Sequence, residues 1–330
     1  MKKIILKVFK VFINFVPSSS ARKRLRKDLD NIFNFGLLTF IKYCKIKNGK
    51  FKRENIVFEN EIAIVAIMKN EGPYLDEWIC YHLIMGVEKF YLYDDESTDD
   101  TKEILKKYIE KGIVDYTYFP GPKHGRNKQL DCYGQTIKKY ANKIKWVCAV
   151  DLDEFIVCKN STLKEFLKSF DGFSQIFIRW KVYGSSGHKT KPAGLVLENY
   201  KHRADDKYRE TYAKAIVNPR DFISTKSSHG FYVKGISVDA NKNIVNPEIF
   251  FSMPVAALSL PIDKIWINHY YIKSFEEYMQ RGKRGGVLDS FTHRNAELKR
   301  FFLQDKSDVF DAMDENIVSA VKKKICEFSV

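Results

Sequence analysis

From residue 60 onward, short unbroken apolar runs alternate with longer amphipathic segments. Ile62 to Met68 is a continuous apolar run, the pattern of a strand buried on both faces. Tyr74 to Met85 has helical spacing, with Leu75, Trp78, Ile79 and Leu83 on one face, Pro73 suited to its first turn and Gly86 placed to stop it. Val87 to Tyr93 predicts a second strand, Thr101 to Gly112 a second helix and Ile113 to Phe119 a third strand. After the loop Pro120 to Gly125, Arg126 to Tyr140 predicts a helix, and the apolar run from Trp146 a fourth strand. Leu163 to Phe170 opens with a capping box, Thr162 and Glu165. Strand and helix in strict alternation predict an α/β domain with a mainly parallel sheet of the nucleotide-binding kind. Beyond Gln175 the pattern becomes strand-like and loop-rich: a strand at Ile176 to Tyr183, a flexible turn at Gly184 to His188, and closing helices at Phe275 to Arg281, about 295–302 and 311–325. No G-x-G-x-x-G and no G-x-x-x-x-G-K-[ST] occurs, which disfavours a dinucleotide fold or a P-loop NTPase.

The chemistry concentrates where predicted strands end. The Trp146 strand runs into Asp151-Leu152-Asp153, and on an extended segment residues i and i+2 point the same way. Two hard oxygen ligands on one side suit Mg²⁺ or Mn²⁺ carried by a diphosphate. Ligands of open α/β sheets also bind at the carboxyl ends of strands. Taken alone, D-x-D is equally a solvated turn. Glu154 adds a third carboxylate, to orient metal-bound water or to pair with a lysine. Asp94 and Asp95 end the second strand, where one acidic residue can accept hydrogen bonds from a uracil N–H or a ribose hydroxyl; they also suit a turn capping the next helix. Lys69, Asn70 and Glu71 end the first strand and would line the same crevice or simply begin a helix. His124, Arg126, Asn127, Lys128 and Gln129 lead into a helix, a place for a phosphate or a solvated basic turn.

Composition and charge narrow the class. With 45% hydrophobic and 14% aromatic residues the chain has the means to bury a large core. Of the net charge of +15, residues 1–53 hold +13, from fifteen Lys/Arg against two Asp/Glu, so the body is nearly neutral. Met1 to Pro17 sets Lys3, Lys7, Lys10 and Asn14 as one polar stripe on an apolar helix, too short to span a bilayer and interrupted too early for a signal peptide. It is expected to lie on an anionic membrane surface with Arg22, Lys23, Arg24, Arg26 and Lys27 near the headgroups; the plainer reading packs its apolar face on the body. Six cysteines with no C-x-x-C pair and no Cys/His cluster disfavour a zinc site and point to a reducing compartment, which with the basic segment gives an expected setting in the cytoplasm, peripheral on the inner face of the membrane.

An ordered series of motifs then carries a resemblance. Ile64-Val65-Ala66, Lys69-Asn70-Glu71, Pro73-Tyr74-Leu75, Glu77-Trp78, Tyr81-His82, Gly86-Val87, Tyr93-Asp94 with Ser97-Thr98-Asp99, and Asp151-Leu152-Asp153-Glu154-Phe155 resemble the family 92 and family 2-like glycosyltransferases. Trp180, Tyr183 to His188, Val217-Asn218-Pro219, Ser228-His229-Gly230, Ile267 to Tyr270 and Lys273-Ser274 extend the likeness over roughly residues 60–285. The resemblance implies a GT-A fold, a nucleotide-sugar donor, commonly a UDP-sugar, and a divalent metal at Asp151 and Asp153. It also implies a nucleoside contact at Asp94 or Asp95 and a further metal or diphosphate contact from His269 or His229; a structural histidine is the alternative for each. Glu96 stands where family 2 usually has glycine. An inverting enzyme needs one base; Glu198, Asp205, Asp206 and His188 are candidates, Glu198 slightly favoured, and nothing in the spacing chooses.

The reading is a basic membrane-associating extension over 1–59, a GT-A domain over 60–285 and a helical segment over 286–330. The expected acceptor is a glycan or glycolipid of a bacterial surface polysaccharide. Another D-x-D phosphoryl- or nucleotidyl-transfer enzyme is the first alternative; a haloacid-dehalogenase-like phosphatase in particular needs D-x-D-x-[TV] near the chain start, and here Phe155 follows Glu154. A nucleic-acid-binding protein is the second alternative, disfavoured by the neutral body.

Overall fold

The computed structural model describes residues 10–329 other than 12, 52, 55, 121–126, 252 and 282–290. Most of the helix expected over Met1 to Pro17, and the candidates His124 and Arg126, lie outside the described residues. In chain order come α1 (Ser19–Phe35), α2 (Leu37–Lys47), β1 (Asn60–Met68), α3 (Gly72–Ile84), β2 (Lys89–Asp94), α4 (Thr101–Glu110), β3 (Val114–Tyr118), α5 (Lys128–Lys139), β4 (Ile144–Ala149) and β5 (Glu154–Cys158). They are followed by α6 (Leu163–Leu167), β6 (Gln175–Val182), α7 (Val196–Asn199), β7 (His202–Arg203), β8 (Ala213–Val217), β9 (Phe222–Ser227), β10 (Gly230–Val233), β11 (Ser237–Asp239), β12 (Ile265–His269), α8 (Phe275–Arg281), α9 (Phe291–Gln304), β13 (Val309–Phe310) and α10 (Glu315–Phe328).

The main sheet runs β3-β2-β1-β4-β8-β6-β12-β5, with β11 beside β6. Its first four strands are parallel, as their alternation with helices predicts. β8 is antiparallel to both β4 and β6, and β12 is parallel to β6. The carboxyl ends of β1, β2, β4, β6 and β12 therefore share one edge, and β5, antiparallel to β12, starts from it. This is the α/β architecture with a mainly parallel sheet expected from sequence.

β1 alternates between two cores, as a strand buried on both faces must. Ile62, Ile64, Ala66 and Met68 share one core with Trp78, Leu75 and Ile79 of α3, whereas Ala63 and Val65 share the other with Tyr133 and Ile137 of α5. α3 ends at Gly86, whose φ of +95° suits a residue without a side chain. The capping box of α6 forms as its sequence predicts. Met313 and Val321 join the larger core, so the C-terminal segment belongs to the same packed body. All six cysteines are free thiols.

Candidate active site

Asp151 lies in the turn from β4 to β5 and is held by three side chains. Its Oδ1 accepts from Gln129 Nε2 at 2.7 Å and from Tyr133 OH at 3.2 Å, and its Oδ2 pairs with Lys214 Nζ at 2.9 Å. Continuing the β4–β8 register brings Lys214 level with the end of β4. Lys214 also lies 3.5 Å from Glu154 Oε2, which accepts from the Asp151 backbone N–H at 2.9 Å. Burial opposes the Lys214 charge, yet Asp151 and Glu154 outweigh it and hold the ammonium above the ordinary lysine value. Burial pushes Glu154 well above the usual carboxylate range, against the pull of Lys214. Of the two sequence readings of Glu154, the lysine partner is the one formed.

Asp153, two residues on, faces the end of β12. Its Oδ1 lies 3.5 Å from His269 Nε2, and its backbone carbonyl accepts from Tyr270 N at 2.8 Å. The His269 ring packs on Trp180 with centroids 4.1 Å apart, and its Nδ1 is buried with no hydrogen-bond partner among the described residues. His229 joins from the turn between β9 and β10, stacked on Tyr212 at 4.8 Å and edge-on to Trp180 at 5.5 Å. Its Nδ1 donates to the Ala213 carbonyl at 2.9 Å, which leaves Nε2 with its lone pair. Burial, reinforced by the Lys214 charge, lowers His229 to about 4, so the ring is neutral near pH 7. Of the two histidines expected from sequence, His269 lies against Asp153, and His229 touches the same Trp180 ring system without a described contact to Asp151 or Asp153.

Two strands away, Asp94 closes β2. Its Oδ1 accepts from Ser97 N at 2.8 Å and its Oδ2 from Tyr116 OH at 2.7 Å. Asp94, Ser97, Asp99, Lys102, Tyr116 and Tyr118 line a cavity of about 290 Å³. Glu96 adopts φ +58°, so the turn keeps a glycine-like backbone despite its side chain. Asn70, at φ +54°, ties this turn to the end of β1: its N–H donates to Ser97 Oγ at 2.9 Å and its Oδ1 accepts from Thr98 N at 2.7 Å. Asp95 is ion-paired with Lys128. Lys69 and Glu71 flank Asn70 before α3, and Asn127 caps α5 through Leu130 N at 3.3 Å.

The four candidate bases have other engagements. Glu198 pairs with Lys322 of α10. His188 Nε2 contacts the Asn199 carbonyl at 3.3 Å. Asp206 pairs with Arg203 at 2.8 Å, and Asp205 accepts from Lys207 N at 2.8 Å in a turn that lies against Arg179 and Trp180. None of the four carboxylate or imidazole groups makes a described contact with Asp151 or Asp153.

Sequence reasoning missed Lys214, Tyr133, Tyr116 and Trp180 as site residues. Lys214 had a signal: it is the one charged residue in the apolar run Ala213 to Val217, and a lysine in a buried strand needs a carboxylate partner. Tyr133 and Tyr116 had none, because tyrosines on a helix face and a strand read as ordinary core.

The family model for glycosyltransferase family 92 matches residues 68–313. The chain belongs to glycosyltransferase family 92. Similar family 92 proteins include one from Ricinus communis, 27% identical over 196 residues (56% of this chain, 34% of that protein), and one from Arabidopsis thaliana, 26% identical over 191 residues (53% and 32%). The chain spans about a third of the length of these curated relatives. Among solved structures, Staphylococcus aureus TarS in complex with UDP-GlcNAc covers 73% of this chain and 71% of its own at 16% identity and a TM-score of 0.32. Glucosyl-3-phosphoglycerate synthase from Mycobacterium tuberculosis in complex with Mn²⁺ and UDP covers 40% and 50% at 15% identity and a TM-score of 0.25.

In this family 92 chain the donors at the D-x-D fit a divalent cation in part. Asp153 and His269 bring an oxygen and a nitrogen together at the sheet edge, and the buried His269 Nδ1 marks a ring whose polar needs the protein leaves unmet. Asp151 is drawn instead toward Lys214, Gln129 and Tyr133. Among the described residues no group of three or more His, Cys, Asp or Glu is gathered as a metal site. Such a two-ligand site suits a metal that arrives with phosphate oxygens and keeps several waters, as Mg²⁺ does.

Proposed function

We propose that the chain is a metal-dependent, inverting glycosyltransferase that moves a sugar from a UDP-sugar to a hydroxyl of a glycan. The single observation that carries this reading is the gathering of Asp151 with Lys214 and of Asp153 with His269 at the carboxyl edge of the sheet, with Asp94 two strands away lining a cavity of about 290 Å³. In this assignment Asp94, fixed by Tyr116 and Ser97, accepts from the nucleoside. Asp153 and His269 would hold Mn²⁺ or Mg²⁺. When bound, the metal supplies charge stabilisation to the departing diphosphate. Lys214 anchors Asp151 and adds positive potential beside the phosphates. Neutral His229 and the buried indole N–H of Trp180, which has no acceptor among the described residues, offer polar contacts to the donor.

The transfer is a displacement in which the acceptor oxygen forms a bond to the anomeric carbon as the bond to the diphosphate oxygen breaks. The acceptor proton goes to a carboxylate within hydrogen-bond reach. We assign that carboxylate to Asp205 or Asp206, because their turn lies against Trp180, whose ring packs on His269.

Calorimetric titration of UDP with Mn²⁺, repeated with EDTA and with Asp153→Asn and His269→Ala, tests the reading. The expected result is binding that needs metal and weakens in both variants. Silence toward UDP and every other nucleoside diphosphate, with the wild-type chain folded, would overturn it.

A further inference from the structure

The basic N-terminal segment carries a surface that sugar transfer does not use. α1 and α2 form a hairpin through Gly36, at φ +87°. α2 docks on the body by one face: Tyr43 is buried, donates to the Lys242 carbonyl at 2.8 Å and packs on Phe173 at 6.4 Å, with Phe40 and Ile46 beside it. At about 100° per residue the opposite face of α2 carries Leu37, Leu38, Ile41, Lys42 and Lys45. Leu38 is 83% exposed, Leu37 56% and Ile41 42%. In α1 the run Lys23, Arg24, Leu25, Arg26 and Lys27 is exposed throughout. Residues 1–53 hold fifteen Lys/Arg against two Asp/Glu. Among the described residues no helix is long and apolar enough to cross a membrane.

Each plausible occupant meets this surface differently. A nucleic acid would match the charge and leave the leucine ridge in water. A second copy would cover the ridge and bring two segments of charge +13 together. A bilayer with anionic headgroups satisfies both features, with apolar side chains at the acyl boundary and lysines and arginines among the phosphates.

We propose that the α1–α2 hairpin docks the protein on an anionic membrane surface, with Leu37, Leu38 and Ile41 inserted and the surrounding Lys/Arg residues on lipid phosphates. The proposal stands independently of the reaction. The test is co-sedimentation of the full chain with phosphatidylcholine vesicles, with and without about one-third phosphatidylglycerol, at two salt concentrations. The expected result is binding to anionic vesicles at least about tenfold stronger than to neutral ones, weakened by salt. Replacing Leu37, Leu38 and Ile41 by Ser lowers partitioning by about tenfold or more with thermal melting unchanged. These positions are exposed, so the variant is expected to fold; if it melts early, the wild-type comparison between the two vesicle types still decides. Failure of the wild type to prefer anionic vesicles overturns the proposal. So does a triple variant that binds as well as wild type, or a wild-type dimer in light scattering that the triple variant dissociates.

Discussion

Replacing Lys214 with Met is expected to damage stability in a pH-dependent way. The wild-type ammonium is 1% exposed and sits between Asp151 at 2.9 Å and Glu154 at 3.5 Å. Met fills most of the volume and removes the charge. Asp151 keeps Gln129 and Tyr133 and is one-third exposed, so water and those donors take up part of its loss. Glu154 is fully buried, and without Lys214 its carboxylate has no cation. Breaking a buried pair from one side costs about 3–5 kcal/mol, because a charge is left uncompensated. Glu154 escapes by holding a proton. Burial already raises it well above its unfolded value of 4.5, and Lys214 is the largest force opposing that rise. Where the folded state binds more protons than the unfolded one, stability falls as pH rises, from the unfolded value up to the folded one. Losing Lys214 lifts the upper end of that window, so the penalty is small near pH 4 and full only above the new folded value. Urea unfolding of wild type and Lys214→Met at pH 5 and pH 8 measures this directly. The double variant Lys214→Met/Glu154→Gln should recover part of the loss at pH 8. A single variant as stable as wild type at both pH values would refute the ion-pair account.

Two further outcomes follow from the same geometry. Asp94→Asn removes the charge from a carboxylate that accepts from Tyr116 and Ser97, and UDP binding should weaken roughly tenfold while its metal requirement is unchanged; calorimetry with and without EDTA separates the two effects. His82 is fully buried between the Trp78 carbonyl and Ile156 N, and burial lowers it to about 3 from 6.5. Its folded value is depressed, so the stability it contributes is present above about 6.5 and is lost as pH falls toward 3, on the order of 5 kcal/mol in all. Acid-titrated unfolding of His82→Gln should show a shallower decline below pH 6.5 than wild type, and an identical slope would show that His82 does not set it.

The parts of this molecule that were legible in the sequence are those whose signals are local. β1, α3, β2, α4, β3, α5 and β4 each carry their own periodicity and stop signals, and the parallel sheet follows from their alternation. Asp151, Asp153 and Asp94 were legible because strand ends in such a sheet share an edge. What stayed hidden is set by pairing across the chain. Lys214 lies 63 residues from Asp151 in sequence, and their contact exists because β8 inserts antiparallel between β4 and β6. A five-residue strand followed by hairpins gives no local sign of which neighbour it will choose. The same holds for β12, which delivers His269 to Asp153, and for the candidate bases, whose surroundings depend on loop positions and not on period. One local rule would have recovered Lys214: a charged residue inside an apolar strand requires a buried counter-charge. Applied to the rest of the sheet, that rule singles out Arg179 in β6, whose guanidinium is buried and donates to the Asp206 carbonyl at 2.5 Å. Burial lowers Arg179 from its ordinary value, and the Asp206 and Asp205 carboxylates oppose the shift. Arg179 therefore holds in place the turn that carries two of the candidate bases, as Lys214 holds Asp151, and the hydrophobic pattern passes over both buried cations.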